Sequence, residues 1–409
     1  MERIAIKNQK ELIFGFLIAF ILSGFLFFLF PYYIRLEPNL WFGADIERVI
    51  RNMVDPLSNL YRLKVHPLFS LVILPVTRPI FWLAKSLGLE SDIAMVIAAQ
   101  VVVSISAGIV WVLIYCIAIK IGLSRVVSFG VGLLFLSTST FQVWWSTPET
   151  YPLGALTILL PFLLLAFDIN SRKAWLTTLV GTLSITTTNW IAGLIASFTR
   201  FGPKKKFREL TLNTFIVFII LICVQKSYFP TAGLPFQLGE EVNYIKKTTR
   251  SFETFYQFFV APVVPVSMPK IVRDGEYHEY PQLEFHLPSW RDVSLIRVAL
   301  ALCWLLLLMN GIFLALSRSG DSLGLALVVF VAFEFILHSI YGDTPYLYSA
   351  HYVPILVLLA GKGLTGWEKN KRRYMIAFVY VLAFSLLILN LTYLGKVFEL
   401  GSLYLATKF

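Results

Sequence analysis

The sequence is short of charge and of cysteine. Only 14% of its 409 residues are charged, 57% are hydrophobic, and the mean hydropathy is +0.73. A soluble fold could not bury that much apolar surface, so the composition predicts a polytopic membrane protein. The three cysteines, Cys116, Cys223 and Cys303, lie inside apolar runs, which argues against a disulfide framework and against a cysteine-based metal site.

Other signals are missing as well. The chain has no glycine-rich nucleotide cradle or P-loop, and it has no internal repeat, so residues 1–409 are expected to form one membrane domain. The first apolar run, from Leu12 to Pro31, lacks the cleavage site of a signal peptide and is expected to be a retained helix. Much of the net charge of +11 lies at the ends of apolar runs, so no nucleic-acid partner is expected.

Apolar runs of about the length of a membrane span follow one another along the chain. They cover 12–31, 93–119, 126–142, 152–168, 174–199, 211–228, 294–316, 322–340, 351–363 and 374–394. Segment 67–88 is ambiguous, because Pro75, Arg78 and Pro79 interrupt it after a short apolar start.

Two ways of threading the chain through the bilayer compete. If 67–88 crosses and 174–199 is one helix, four basic residues face outward: Lys120, Arg125, Arg172 and Lys173. If 67–88 lies in the interface and 174–199 breaks near Thr186 to Asn189, these residues become cytoplasmic. The short outward turns at 143–151, 186–190 and 341–350 then contain no Lys or Arg, as the positive-inside rule requires.

The second threading predicts an all-α polytopic membrane protein with about eleven transmembrane helices. Its N-terminus is inside and its C-terminus is outside. Interfacial helices occupy the first outward loop, residues 32–92, and a second large outward loop, residues 229–290, forms a cap.

The first outward loop concentrates charge beside the first span. Apolar residues recur there at helical spacing, namely Ile46, Val49, Ile50, Met53 and Leu57, which predicts an amphipathic helix along the outer leaflet. On its charged face, three pairs are spaced for ion pairs: Asp45 with Arg48, Glu47 with Arg51, and Arg51 with Asp55. A solvated interfacial helix without further function explains the same spacing.

The outward turns add further ionisable groups. Glu149 lies in the first turn, and the last contains Asp343, Tyr346, Tyr348 and His351. An aromatic belt accounts for the tyrosines but not for the carboxylates or the histidine. Glu334 and His338, one turn apart in a span, indicate either a functional pair or a helix-to-helix hydrogen bond.

Fixed cations at this face suit a lipid-linked phosphate, since Arg and Lys bind its oxygens by charge-assisted hydrogen bonds. The expected substrate-binding cations are Arg48, Arg51, Arg62 and Lys64, with His66 and His351 beside them. A nearby carboxylate could take a proton from an acceptor hydroxyl. This combination predicts sugar transfer from a lipid carrier.

At this point the sequence resembles the integral-membrane glycosyltransferases of the C-type fold (GT-C), the superfamily of protein O-mannosyltransferases and aminoarabinose transferases. Asp45 in GADIER matches the acidic residue after the first span, and Glu149 in STPETYP matches the acidic residue of a later turn. HPLF at 66–69 is similar to the family's His-Pro-Pro-Leu segment, with one proline in place of two. The resemblance covers roughly the first 230 residues.

The resemblance implies a polyprenyl-phosphate sugar as donor and a cell-envelope glycan, lipid or protein as acceptor, at the outer face of the cytoplasmic membrane. It implies that Asp45 is the general base or orients the acceptor, and that basic residues of the first loop bind the donor phosphate. Glu149 is expected to be the second catalytic residue, and Glu47, Asp343, Tyr346 and Tyr348 are expected to bind substrate. No cofactor is expected, because members with monophosphate donors generally need no metal. Asp45 and Glu47 have the Asp-x-Glu spacing with which some members hold a divalent metal, so a metal site remains an alternative.

Two rival functions remain. A transporter or flippase of lipid-linked glycans should have charged residues deep within several spans. A polymerase or ligase of envelope polysaccharide should depend on arginines of the second loop, such as Arg250 or Arg273, more than on Asp45.

Overall fold

Helices form nearly all the regular structure in the computed structural model. It describes residues 9–37, 39–57, 65–230, 232–235, 245, 251–272, 281–287, 293–342, 344–366 and 372–408. Arg62, Lys64, Asp343, Arg250 and Arg273 lie outside the described residues, so the roles expected for them stay predictions.

The helices of the first half, in chain order, are α1 Gln9–Leu29, α2 Tyr32–Leu36, α3 Ile46–Val54, α4 Phe69–Ser86, α5 Ser91–Lys120, α6 Arg125–Ser137, α7 Ser139–Trp144, α8 Tyr151–Ala166, α9 Arg172–Ile185, α10 Trp190–Phe201 and α11 Lys205–Tyr228. A short 3-10 turn, Thr187–Asn189, separates α9 from α10. The predicted break between Thr186 and Asn189 is therefore confirmed.

The second half begins with α12 Ser251–Phe255, a π-helical turn Tyr256–Val260, and the antiparallel strands β1 Lys270–Val272 and β2 Gln282–Glu284. It continues with α13 Leu295–Ser317, α14 Ser322–Ile340, α15 Ser349–Gly363 and α16 Arg372–Lys408. In the described chain, six helices are long and apolar enough to cross a membrane: α1, α5, α11, α13, α14 and residues Arg373–Thr407 of α16. The protein is thus an all-α membrane protein.

Ion pairs at helix ends define one end of the bundle, which we call the basic end. These pairs are Arg125–Glu11, Arg172–Glu209, Arg200–Asp168 and Lys362–Asp321. Since the helices run to and fro, the turns at 145–150, 186–189 and 341–348 all lie at the other end, which we call the site end. The described ion pairs between different helices at their ends therefore mark the basic end.

Helix α4 begins and finishes on the same side of the bundle. Its start is at the site end, where the Leu68 amide donates to the Ser184 carbonyl at 2.9 Å. Helix α5 begins at Ser91, with four residues between it and the end of α4, and runs towards the basic end. Gln100, in the third turn of α5, donates to the Trp145 carbonyl at 3.0 Å, so the start of α5 is at the site end. Helix α4 therefore does not connect the two ends, which agrees with the interfacial position expected for 67–88.

The amphipathic helix predicted in the first loop is present as α3, but its apolar face is not turned outward. Ile46, Val49, Ile50 and Met53 are buried against α4 and α5. Leu57 follows the helix and is exposed. The expectation that the apolar face lies along the outer leaflet is wrong, because protein covers it.

Close packing holds the first helices together. The Trp111 ring of α5 lies against Gly15 of α1 and Gly132 of α6, where a Cβ atom would come within 1.9 and 2.4 Å of it. In lipid, van der Waals contact at small residues drives helix association more than the hydrophobic effect does. Glycine at these positions lets the three helices share one indole.

The described parts of the second large loop pack onto the site end. The Thr140 amide of α7 donates to the Pro262 carbonyl at 2.8 Å, and the Leu283 amide of β2 donates to the Leu40 carbonyl at 2.9 Å. Ile245 forms an isolated bridge with Tyr341. These contacts place the loop beside the turns that contain the predicted site residues.

His286 makes this loop sensitive to pH. Its Nδ1 bonds to Glu253 Oε1 at 2.7 Å, and Nε2 lies 3.5 Å from Glu284 Oε2. The hydrogen bond to Glu253 raises the pKa of His286 above its ordinary value, against an opposing effect of burial. Because the pKa of His286 is higher in the folded protein than in the unfolded chain, its protonation stabilises the fold. This stabilisation is fully present below the ordinary histidine pKa and is lost as the pH rises through the folded-state pKa.

We therefore expect β2 to open more readily as pH rises from about 6 to about 9. A His286→Asn variant provides the reference at each pH. The ratio of proteolytic cleavage in this loop, variant over wild type, should exceed one at the lower pH and approach one at the higher. A ratio independent of pH would contradict the ion pair.

Candidate functional site

The site end brings together segments that are far apart in the sequence. Trp144 at the end of α7 donates from Nε1 to the Tyr346 carbonyl at 3.2 Å and to Ser349 Oγ at 3.0 Å. Asn189 donates from Nδ2 to the Gly154 carbonyl at 3.3 Å. The three short turns predicted to face outward therefore form one surface.

An aromatic chain links the loop of Asp45 to the turn of Glu149. The Phe42 ring lies 4.8 Å from that of Tyr346 and 6.2 Å from that of Trp144, which in turn is 5.5 Å from Tyr151. Such edge and tilted contacts are the favoured geometries of aromatic pairs. Phe42 precedes Asp45 by three residues and Tyr151 follows Glu149 by two, so the packing holds both acidic segments at the site end.

Asp45 occupies the N-cap position of α3, and its carboxylate pairs with Arg48. Both side chains are 32% exposed, so the pair is open to a substrate. Glu47 and Arg51 form a separate pair, with Oε1 to Nη2 at 2.8 Å, and are more than half exposed. Two of the three predicted ion pairs are confirmed. Asp55, the third predicted partner, accepts a hydrogen bond from the Leu57 amide at 2.9 Å.

Glu149 is fully buried. Its Oε2 accepts hydrogen bonds from the Thr150 backbone amide and from Thr150 Oγ1, the latter at 2.9 Å. Moving a carboxylate out of water is costly unless hydrogen bonds compensate. The bonds from Thr150 supply part of that compensation and fix the carboxylate beside Tyr151.

His66 and the chain around it are fixed to the turn at 186–189. His66 is buried, and its Nδ1 lies 2.8 Å from the Ile185 carbonyl and 3.1 Å from Thr186 Oγ1. The Thr187 amide donates to the Val65 carbonyl at 3.1 Å. A carbonyl partner means that Nδ1 carries a proton. The HPLF segment thus forms part of the site end.

The last turn contributes His351 and Tyr348. The Tyr151 ring makes edge contacts with both, at 5.4 and 5.7 Å between ring centroids. The Tyr348 ring also stacks on the His338 ring, so His351 and His338 are linked through Tyr151 and Tyr348. Tyr346 is different: its hydroxyl bonds to Ser139 at 2.8 Å, and burial raises its pKa above the usual range. Its contacts here are structural.

Glu334 and His338 form a buried pair within α14. Glu334 Oε2 lies 3.1 Å from His338 Nε2, one helical turn away, and both are almost fully buried. The His338 ring stacks on the Tyr348 ring, with the ring centroids 4.4 Å apart and an angle of 14° between the planes. The pair therefore reaches the site end through Tyr348, and the hydrogen bond is within one helix rather than between helices.

Sequence reasoning missed Arg35, which follows the first span. The guanidinium is 1% exposed, donates to the carbonyls of Leu26 and Phe27 near the end of α1 at 3.4 Å, and lies 4.7 Å from the Phe398 ring. A cation at a helix C-terminus meets the negative end of the helix dipole. The only sequence signal was a lone charge among aromatics.

Asn189 was also missed, although the break it belongs to was predicted. Its side chain is fully buried between α8 and the turn. An amide in a turn is usually read as a turn former, so its position beside His351 could not be recognised from the sequence.

Both carboxylates of the Asp-x-Glu motif form ion pairs with arginines, Asp45 with Arg48 and Glu47 with Arg51. Within the described ranges, no three His, Cys, Asp or Glu side chains are grouped to hold a metal ion.

No protein-family model matches this chain, and no curated protein matches it either. The likeness to the GT-C superfamily rests on the short motifs around Asp45, Glu149 and His66, and it stays a proposal.

Proposed function

We propose that this protein is a GT-C-like membrane glycosyltransferase that moves a hexosyl or pentosyl group from a polyprenyl-phosphate carrier to a cell-envelope glycan, lipid or protein. The observation that supports it best is the convergence of the Asp45 loop and the Glu149 turn. Aromatic contacts from Phe42 to Tyr151 join them at one end of the bundle. Two acidic segments at one end of the bundle, with Arg48 paired to Asp45, suit group transfer from a phosphate.

The proposal includes the orientation of the chain. Eleven helices would cross the membrane: α1, α5, α6, α8, α9, α10, α11, α13, α14, α15 and α16. Several are shorter than the roughly twenty residues that a lone span needs, but α8 and α15 are buried along most of their length, where backbone meets protein rather than lipid.

The three short turns at the site end contain no Lys or Arg, which supports the inside and outside assignment. With the basic end in the cytoplasm, the site end faces the periplasm or the cell exterior, in accord with the positive-inside rule. Helix α4 then lies at the outer interface of the cytoplasmic membrane. Its exposed apolar residues, Val72, Val76, Trp82 and Leu83, would face lipid, where a polyprenyl carrier arrives.

The chemistry follows from the two carboxylates. Asp45 accepts the proton of the acceptor hydroxyl as its oxygen attacks the anomeric carbon. The bond from that carbon to the phosphate oxygen breaks, and the polyprenyl phosphate leaves with the electron pair. The buried carboxylate of Glu149 stabilises positive charge that develops on the sugar ring in the transition state.

Cations stabilise the leaving phosphate. Arg48 is held at the site by its pair with Asp45, and a guanidinium can bind two phosphate oxygens at once. His66 lies at the same end of the bundle, beside the turn at 186–189, and Arg62 and Lys64 precede it in the chain. Arg51, paired with Glu47 on the exposed side of α3, contributes through long-range attraction of the anionic carrier.

The test is a donor panel. Purified protein in lipid is incubated with polyprenyl-phosphate sugars and with alkyl glycosides as acceptors, and release of polyprenyl phosphate is measured. We expect release with at least one donor that depends on acceptor. If every donor stays intact, the glycosyltransferase is refuted, and movement of lipid-linked glycan across vesicles becomes the next measurement.

A further inference from the structure

Two buried polar atoms at the site end have no hydrogen-bond partner in the part of the chain that the structure describes. They are Nε2 of His351, a residue 3% exposed, and Oδ1 of Asn189, a residue 0% exposed. Buried polar atoms are nearly always paired. Two such atoms on side chains that both lie beside Gly154 therefore indicate a group that binds there.

Both side chains converge on Gly154 in the first turn of α8. A Cβ atom at Gly154 would lie 2.4 Å from His351 Nε2 and 3.0 Å from Asn189 Nδ2. Any side chain at this position would push the histidine and the amide apart. Glycine thus allows residues from the turn at 186–189 and from α15 to approach the same point.

The hydrogen bonds of Asn189 show which atom of its side-chain amide lacks a partner among the described residues. Asn189 Nδ2 donates to the Gly154 carbonyl at 3.3 Å and lies 3.5 Å from Thr157 Oγ1. This network assigns the nitrogen to the side of Gly154, so Oδ1 remains as an acceptor that needs a donor.

The chemistry of the two atoms selects the ligand. A hydroxyl group can donate a hydrogen bond to Asn189 Oδ1 and accept one from the Nε2–H of a neutral His351. A phosphate offers oxygens without a proton to give, and Asn189 Oδ1 would repel it. Two neutral ligands are too few for a metal ion of the usual coordination number.

The place of the pair is suitable for the reacting sugar. The Tyr151 ring touches His351, with centroids 5.4 Å apart, and Tyr151 follows Glu149 by two residues. Thr187 and Thr188, beside Asn189, are half-buried, so the turn reaches the surface next to the pair.

We propose that His351 and Asn189 together bind one hydroxyl group of the sugar in the active site and so determine which sugar is used. This inference rests on the proposed glycosyltransferase function. In this proposal His351 binds a neutral hydroxyl group, whereas the sequence analysis placed it beside the cations expected to bind the donor phosphate.

The test combines substrate analogues with variants. Polyprenyl-phosphate sugars and alkyl glycoside acceptors are compared with their single-deoxy forms, using wild type, His351→Phe and Asn189→Leu. In wild type, the analogue that lacks the bound hydroxyl should react about 10- to 100-fold more slowly. The variants should lose a similar factor with the parent substrate and lose no more than about 2-fold further with that analogue.

Glycine substitutions give a matched control. Gly154→Ala should reduce transfer because its methyl group meets both side chains. Gly181→Ala in α9, where nothing lies within 4 Å of the added Cβ, should leave transfer unchanged. Melting temperature and gel filtration of each variant show that it is folded.

The outcomes are distinct. Loss confined to one deoxy donor places the subsite at the transferred sugar, and loss confined to one deoxy acceptor places it at the acceptor. If wild type and variants lose the same factor with every analogue, the pair holds a water molecule or is structural, and the subsite is overturned. If wild type turns over no donor, the glycosyltransferase itself fails and the subsite falls with it.

Discussion

Replacing Asp45 by Asn is expected to lower the rate of sugar transfer by about 10²- to 10⁴-fold, the usual contribution of a general base. Asparagine has the same shape and suits the N-cap position of α3 as well as aspartate does. It cannot accept the proton of the acceptor hydroxyl. The measurement is the initial rate of polyprenyl-phosphate release by purified variant and wild type in the same lipid.

The fold should tolerate this substitution. The pair of Asp45 with Arg48 is partly exposed, and exposed ion pairs contribute only about 0 to 1 kcal/mol. Asp92→Asn, at an exposed position in the first turn of α5, is the matched control and should transfer sugar at the wild-type rate. Transfer by the Asp45 variant within a few-fold of wild type would refute its role as base.

Replacing Glu149 by Gln should separate a catalytic carboxylate from a structural one. The amide oxygen of glutamine can still accept from the Thr150 amide and hydroxyl, so the packing beside Tyr151 is kept. The negative charge is lost. We expect transfer to fall by at least about 10²-fold while the melting temperature shifts by no more than about 3 °C, the effect of roughly 1 kcal/mol in a large domain.

Thr150→Val is the companion variant. It keeps the carboxylate and removes the hydroxyl that bonds to Glu149 Oε2 at 2.9 Å. Its transfer rate should fall by about 10-fold or less, because the backbone bond remains. If Glu149→Gln is poorly folded yet keeps its activity per folded molecule, the residue is structural and Asp45 is the sole catalytic carboxylate of the proposal.

Much of the fold could be predicted because it depends on local pattern. Apolar runs predicted the long helices, and the spacing around Ile46 predicted α3 with its two ion pairs. The break near Thr186 was predicted from charge, since an unbroken helix would have reversed the side on which Arg172 lies. Periodicity and charge act over a few neighbouring residues or at the membrane surface, so a single sequence contains them.

The sequence could not predict which side of each helix packs against protein and which side contacts lipid. The apolar side of α3 packs on α4 and α5 rather than on lipid, and both surfaces favour the same residues. Arg35, which the sequence analysis did not single out, is buried at the end of α1 against Phe398. These contacts join residues tens to hundreds of positions apart, and hydropathy does not encode them.

By itself, the sequence determined that this is a helical membrane protein with its ionisable groups gathered beside short turns, because the cost of charge in lipid leaves few places for them. The tertiary structure alone decided which of those groups meet. Packing at Gly154 places His351 near Asn189, and the aromatic chain from Phe42 to Tyr151 links the Asp45 loop to the turn of Glu149. The physical reason is that the orientation of one helix against another is set by side-chain shape across the whole bundle.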